Sequence, residues 1–170
     1  ENIPLELVAA IDISSSMTGA LPRVKEAAKR FLGGLRPLDQ VTVLGFNENV
    51  FTLARRTTDP AARDRAVDRM APWGGTALYD VILRAVDVLG RQAGRRSIVL
   101  FTDGDDQSSH ASLDAAVARL LPPRPPSVSG VAVLTVGRLR GPRAGPDPVW
   151  TARLQVVRGG ASNRRRSPDC

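Results

Sequence analysis

A single cysteine, Cys170, closes a chain of 170 residues. That excludes an internal disulfide framework and any cysteine-rich metal site, and leaves an exposed terminal thiol. No apolar run approaches the roughly 18–20 residues of a membrane-spanning helix. A signal peptide is not visible either, although the chain opens at Glu1 rather than Met, as a processed or excised segment would. The Gly-rich phosphate-binding patterns and the Gly-x-Ser-x-Gly elbow of α/β-hydrolases are both missing. Aromatic residues make up 4% of the chain and do not interleave with the basic ones, and no nucleic-acid-reading module is recognisable.

What is present is ordinary for a globular domain: 42% hydrophobic and 24% charged residues, in a length that fits one domain with a substantial core. The net charge of +7 is unevenly placed. Residues 1–121 hold 15 Lys+Arg and 15 Asp+Glu, whereas residues 122–170 hold 9 and 2. The basic excess is therefore a property of the tail, and a high isoelectric point is no argument for a nucleic-acid-binding fold.

Along the chain, "PLELVAAIDI" predicts a buried strand, a continuous apolar run stopped by polar residues. Leu21, Val24, Ala28, Phe31, Leu32 and Leu35 recur at helical spacing. "VTVLGF" (41–46) and "VFTL" (50–53) flank Asn47-Glu48-Asn49 and predict a hairpin with a three-residue loop. Ala62, Ala66, Val67 and Met70 predict a short helix, and Leu78, Ile82, Ala85, Val86 and Leu89 an amphipathic one. "RSIVLFTDGDD" repeats the opening pattern of an apolar strand ending in carboxylates. A helix through Leu113, Ala116, Val117, Leu120 and Leu121 and a strand "VAVLTVG" (131–137) follow.

Strands alternating with helices imply an α/β fold. The expectation is a three-layer, doubly wound, Rossmann-like sheet, mostly parallel, with helices on both faces and an antiparallel hairpin at one edge. In such sheets ligands sit beyond the carboxyl ends of the strands. Asp12 and Asp103 both fall there. Residues 1–137 form the expected core. Residues 138–170, rich in Gly, Pro and Arg, form an atypical C-terminal segment, truncated or disordered by its composition; within it, "TARLQVVRGG" reads equally as helix or strand.

The loop "DISSSM" brings the side chains of Asp12, Ser14 and Ser16 to one strand–helix junction. Carboxylate and hydroxyl oxygens suit Mg²⁺, Mn²⁺ or Ca²⁺ rather than Zn²⁺ or Cu²⁺. Two further loops at the same end, Gly74-Gly75-Thr76 and Thr102-Asp103-Gly104, offer more oxygens. Each piece has a plainer alternative: Ser15 or Ser16 capping a helix that starts near Met17, Thr76 capping a helix at 77, and Asp103-Gly104 forming a turn.

Taken together, "DISSSM", "GGTALYD" and "VLFTDGDD" resemble the von Willebrand factor type A (vWA) domain and its metal-ion-dependent adhesion site, with the bacterial branch nearest. The resemblance spans about residues 3–137. It implies a metal set of Asp12, Ser14, Ser16, Thr76 and Asp103, hydroxyls ligating directly and aspartates often through water. It further implies Mg²⁺ (or Mn²⁺ or Ca²⁺) as cofactor, and a protein partner whose Asp or Glu completes the coordination. On this reading the chain is an adhesion or interaction module, not an enzyme, with an extracytoplasmic location. Trp73, Gly75 and Asp105 would form the rim that meets the partner, Trp73 having local loop packing as its alternative. Asp105 and Asp106 either add negative potential near the ion or lie in a solvated loop. The resemblance falters after "VLTVG", where the family continues with another helix, a Gly-Gly turn and a last strand.

Two rival functions come from the residues alone. Ser14, Asp103 and the one histidine, His110, follow the chain order of an α/β-hydrolase triad, and Asp12 and Asp103 could hold Mg²⁺ for catalysis. The arginine-rich tail could bind nucleic acid.

Overall fold

The computed structural model describes residues 3–90, 94–104, 106–120, 130–138 and 150–157. Six strands form one sheet in the order β3-β2-β1-β4-β5-β6. They are β1 (Leu5–Asp12), β2 (Gln40–Phe46), β3 (Val50–Thr57), β4 (Arg95–Thr102), β5 (Gly130–Arg138) and β6 (Trp150–Val157). β2, β1, β4 and β5 run parallel to one another, while β3 and β6 are antiparallel at the two edges. The hairpin falls at an edge as expected. The undecided "TARLQVVRGG" supplies most of β6, so the sheet continues past residue 137, and the tail's first half is not all irregular.

β1 is central because both of its faces are apolar. Leu7, Ala9 and Ile11 point to a layer formed by α1 (Leu21–Gly33) and α2 (Pro60–Asp68). Val8 and Ala10 point to the opposite layer of α3 (Leu78–Leu89) and α4 (Leu113–Leu120). A side-chain period of two in a parallel strand covered on both sides requires this continuous run. Each fully buried Leu, Ile or Val contributes about 1.5–3 kcal/mol.

Three helical expectations shift. The helix after β1 begins at Leu21, with Pro22 in its first turn, and Ser15–Gly19 form a single tight turn before it. Phe31 sits in the helical apolar pattern yet is 42% exposed, touching Phe101 edge-on at 6.3 Å. On α4 only Ala116 is buried, while Leu113 and Val117 face outward; Leu121 lies outside the described residues.

Candidate metal centre

Asp12 ends β1 and is fully buried. Its Oδ1 accepts from the Ser14 backbone N–H at 2.8 Å, and its Oδ2 from the Thr102 hydroxyl at 2.8 Å. Thr102 ends β4, the adjacent parallel strand, and in turn accepts from the Gly104 N–H at 3.0 Å. Among the described residues no Lys, Arg or His pairs with Asp12. Burial therefore raises its pKa against the pull of the Ser14 and Thr102 hydrogen bonds, and the nearby Asp103 carboxylate adds to the rise.

The serines do not cap a helix. Ser14 makes no side-chain capping bond, and the Ser14 and Ser16 hydroxyls lie 2.9 Å apart, facing one another. Thr76 is 1% exposed and does not cap α3 either. That role falls to Asp106, whose Oδ1 accepts from the Leu78 N–H at 2.7 Å, assisted by Ser109, which accepts from Tyr79 at 2.9 Å. Asp106 is thus a half-buried helix cap acting from another loop. Asp103 is half-buried at the end of β4.

Main-chain bonds tie the loops into one surface. Trp73 N–H donates to Ile13 O (2.8 Å) and Ser15 N–H to Gly74 O (3.0 Å), joining the serine and threonine loops. Thr76 O accepts from the N–H groups of Gln107 and Ser108, joining the threonine and aspartate loops. Gly74 adopts φ +76°, which favours glycine, and a Cβ on Gly75 would collide with the Ser108 hydroxyl. The paired glycines let these loops close on each other.

The sequence reading missed two buried participants. Thr102 was quoted only as part of its loop, yet it fixes one Asp12 oxygen. Asn47, fully buried, accepts at its carbonyl from Ala77 N–H (2.7 Å) and donates from Nδ2 to Trp73 O (3.1 Å), pinning the threonine loop from the hairpin. Asn47 was legible as a turn residue; its bracing role depends on a long-range contact.

On the rim, Trp73 is 46% exposed and packs at a tilt against Phe51, ring centres 6.1 Å apart. The local packing named as its alternative is present, and the remainder of the ring meets solvent. Gly75 lies beside the Glu48 carboxylate, with its N–H 3.4 Å from Oε2. Asp105 lies outside the described residues. His110 pairs through Nδ1 with Asp80 at 3.1 Å, and the Ser14 hydroxyl faces Ser16 rather than an imidazole, so Ser14, Asp103 and His110 do not form a hydrogen-bonded triad among the described residues.

A divalent cation fits this donor set. A buried carboxylate without a cationic partner, beside a second carboxylate and two converging hydroxyls, presents hard oxygens and uncompensated negative charge.

Comparison with known proteins bears on this surface. A family model described as "von Willebrand factor type A domain" matches residues 7–105. The inter-alpha-trypsin inhibitor heavy chain H2 of Mus musculus is 32% identical over 117 residues, covering 61% of this chain and 12% of that protein. This chain thus spans about an eighth of such relatives. Among solved structures, BatB from Bacteroides thetaiotaomicron superposes with a TM-score of 0.64 at 23% identity, over 92% of this chain and 81% of that one. A von Willebrand factor type A protein from Catenulispora acidiphila gives 0.64 at 23%, over 77% and 32%. The vWF domain of the type V pili tip protein Mfa5 from Porphyromonas gingivalis gives 0.56 at 21%, over 61% and 39%.

Proposed function

The chain belongs to the von Willebrand factor type A family, and on that premise we propose that it is a divalent-cation-dependent protein-binding module. The supporting observation is Asp12, a buried carboxylate with both oxygens hydrogen-bonded and no cationic partner among the described residues. Asp12, Ser14, Ser16, Thr76 and Asp103 would hold the ion, Mg²⁺ by the hardness of the donors. When bound, it supplies an electrophilic centre that a partner's Asp or Glu can join as a charge-assisted ligand.

The chain's own residues do the rest. Asp12 and Asp103 set the negative charge, and Thr102 and the Ser14 N–H orient the Asp12 carboxylate. Asn47 and the main-chain ties hold the threonine loop in register. Binding without bond-making is favoured because the Ser14 hydroxyl faces Ser16, with no imidazole hydrogen-bonded to it among the described residues. The same reading sets the domain outside the cytoplasm, in keeping with a pilus tip protein that carries this fold.

Calorimetric titration of Mg²⁺ and Mn²⁺ into the wild type and Asp12→Ala tests it. Saturable binding in the wild type and none in a folded variant is the expected result. A folded wild type that takes up neither ion sinks the metal reading.

A further inference from the structure

On the other side of the hairpin from the metal loops, a cleft of about 380 Å³ opens between the edge of the sheet and α3. It is lined by Thr42, Thr52, Arg55, Arg56, Arg84, Asp87 and Val88. A strand pair of regular register would not build it. Val43 pairs with Ala54 and Val41 with Thr57, so Arg55 and Arg56 together stand opposite the single residue Thr42. This is a bulge, and it breaks the alternation that would send successive side chains to opposite faces. Arg56 takes φ +43° within it, the one described non-glycine residue with positive φ, and its N–H donates to the Thr42 hydroxyl at 3.2 Å. Strained, bulged backbone of this kind is over-represented beside functional sites. From the facing wall, Arg84, Asp87 and Val88 share one ridge of α3 at spacings of three and four.

The charges in the cleft do not cancel. Asp87 is engaged by Arg119 of α4, and Arg56 by Glu6 at 3.4 Å and the Gln40 side chain at 3.1 Å. Arg55 and Arg84 pair with no carboxylate among the described residues. Two uncompensated guanidiniums with two threonine hydroxyls make a donor-rich site of net +2. Guanidinium forks match tetrahedral oxyanions, and a dianion balances them. The volume exceeds that of a bare phosphate and lies in the range of small-molecule sites.

The geometry points to a second binding site, for a small phosphate monoester, independent of the metal loops. Arg55 and Arg84 clasp the phosphate, Thr52 donates a hydroxyl bond, and Val88 faces the body of the ligand.

The test is amide chemical-shift titration with inorganic phosphate, glycerol 2-phosphate and acetate at pH 8 with EDTA present. Both phosphates should give saturable shifts at Thr42, Thr52 and Arg56, at least about tenfold tighter than acetate. The double variant Arg55→Ala/Arg84→Ala should abolish saturation, while Asp12→Ala should not. The single variant Arg84→Gln gives the same reading, weakened, if the double variant does not fold. Linear shifts without saturation, equal response to acetate, undiminished binding in the arginine variants, or shifts centred on the metal loops would each overturn the site. Because the metal is chelated throughout, neither outcome depends on the cation reading.

Discussion

Two aspartates are buried at opposite ends of the same sheet and have opposite fates. Asp39 precedes β2 at the end where the parallel strands begin, and Asp12 closes β1 where they finish. Asp39 is 3% exposed and Asp12 0%. Burial would raise both. At Asp39 it is outweighed by the Arg36 guanidinium and the N–H groups of Leu5 and Arg36, which bring the pKa down to about 2. Beneath it the buried Arg63 donates to the main-chain carbonyls of Leu32 and Asp39. Asp12 has hydrogen bonds but no cation, so burial wins. Similar solvent exposure thus goes with a clasp at one pole and an unbalanced charge at the other. The first holds the fold together, and the second is the charge that the proposed ion would balance.

The largest effect should come from breaking the clasp. Asp39→Ala removes the partner of the Arg36 guanidinium and the acceptor of two N–H donors, those of Leu5 and Arg36, and urea denaturation should show a loss of about 2–4 kcal/mol, with any Mg²⁺-induced rise in Tm retained. Gly75→Ala should cost about 1–3 kcal/mol through overpacking against Ser108, and should weaken ion binding because Thr76 is next in the chain.

Asp12→Asn should change metal-free stability by less than about 1 kcal/mol while removing the Mg²⁺ increment entirely. A loss as large as that of Asp39→Ala would show that the two poles are alike after all. The pH dependence sharpens the contrast. The depressed pKa of Asp39 contributes stability that is present above 3.8 and is lost as pH falls toward about 2. Denaturation midpoints of Asp39→Asn should therefore be flatter than wild type across that window. The smallest effect belongs to the rim: Trp73→Ala should cost about 0.5–1 kcal/mol of stability but should weaken capture of an acidic partner in a cation-dependent pull-down.

Much of this was legible because the strands are doubly covered. Continuous apolar runs ending at Asp12 and Asp103 identified both strands and the end of the sheet at which oxygens collect. Most of the features that escaped depend on pairings between distant residues. Asp106 reads as one more acid in a polar loop until α3 is placed beside it. Thr102 reads as the last β-branched residue of a strand until β1 lies alongside. The bulge opposite Thr42 leaves no sequence mark, since "LARRT" alternates no worse than many edge strands. β6 is the exception: Trp150, Ala152, Leu154 and Val156 alternate with Thr151, Arg153 and Gln155, a period of two that the undecided reading of "TARLQVVRGG" passed over and that the pairing with β5 makes plain.

The stitching at this end of the sheet has a consequence for how the surface changes over evolutionary time. The serine, threonine and aspartate loops are joined mainly through peptide N–H and C=O groups, which every residue but proline supplies in full. Side chains at Ser15, Trp73 or Gln107 can then be exchanged without unpicking the seam. Partner preference is free to drift from one lineage to the next while the frame beneath it stays fixed, and a designer could vary the same positions as a library on an unmoving base.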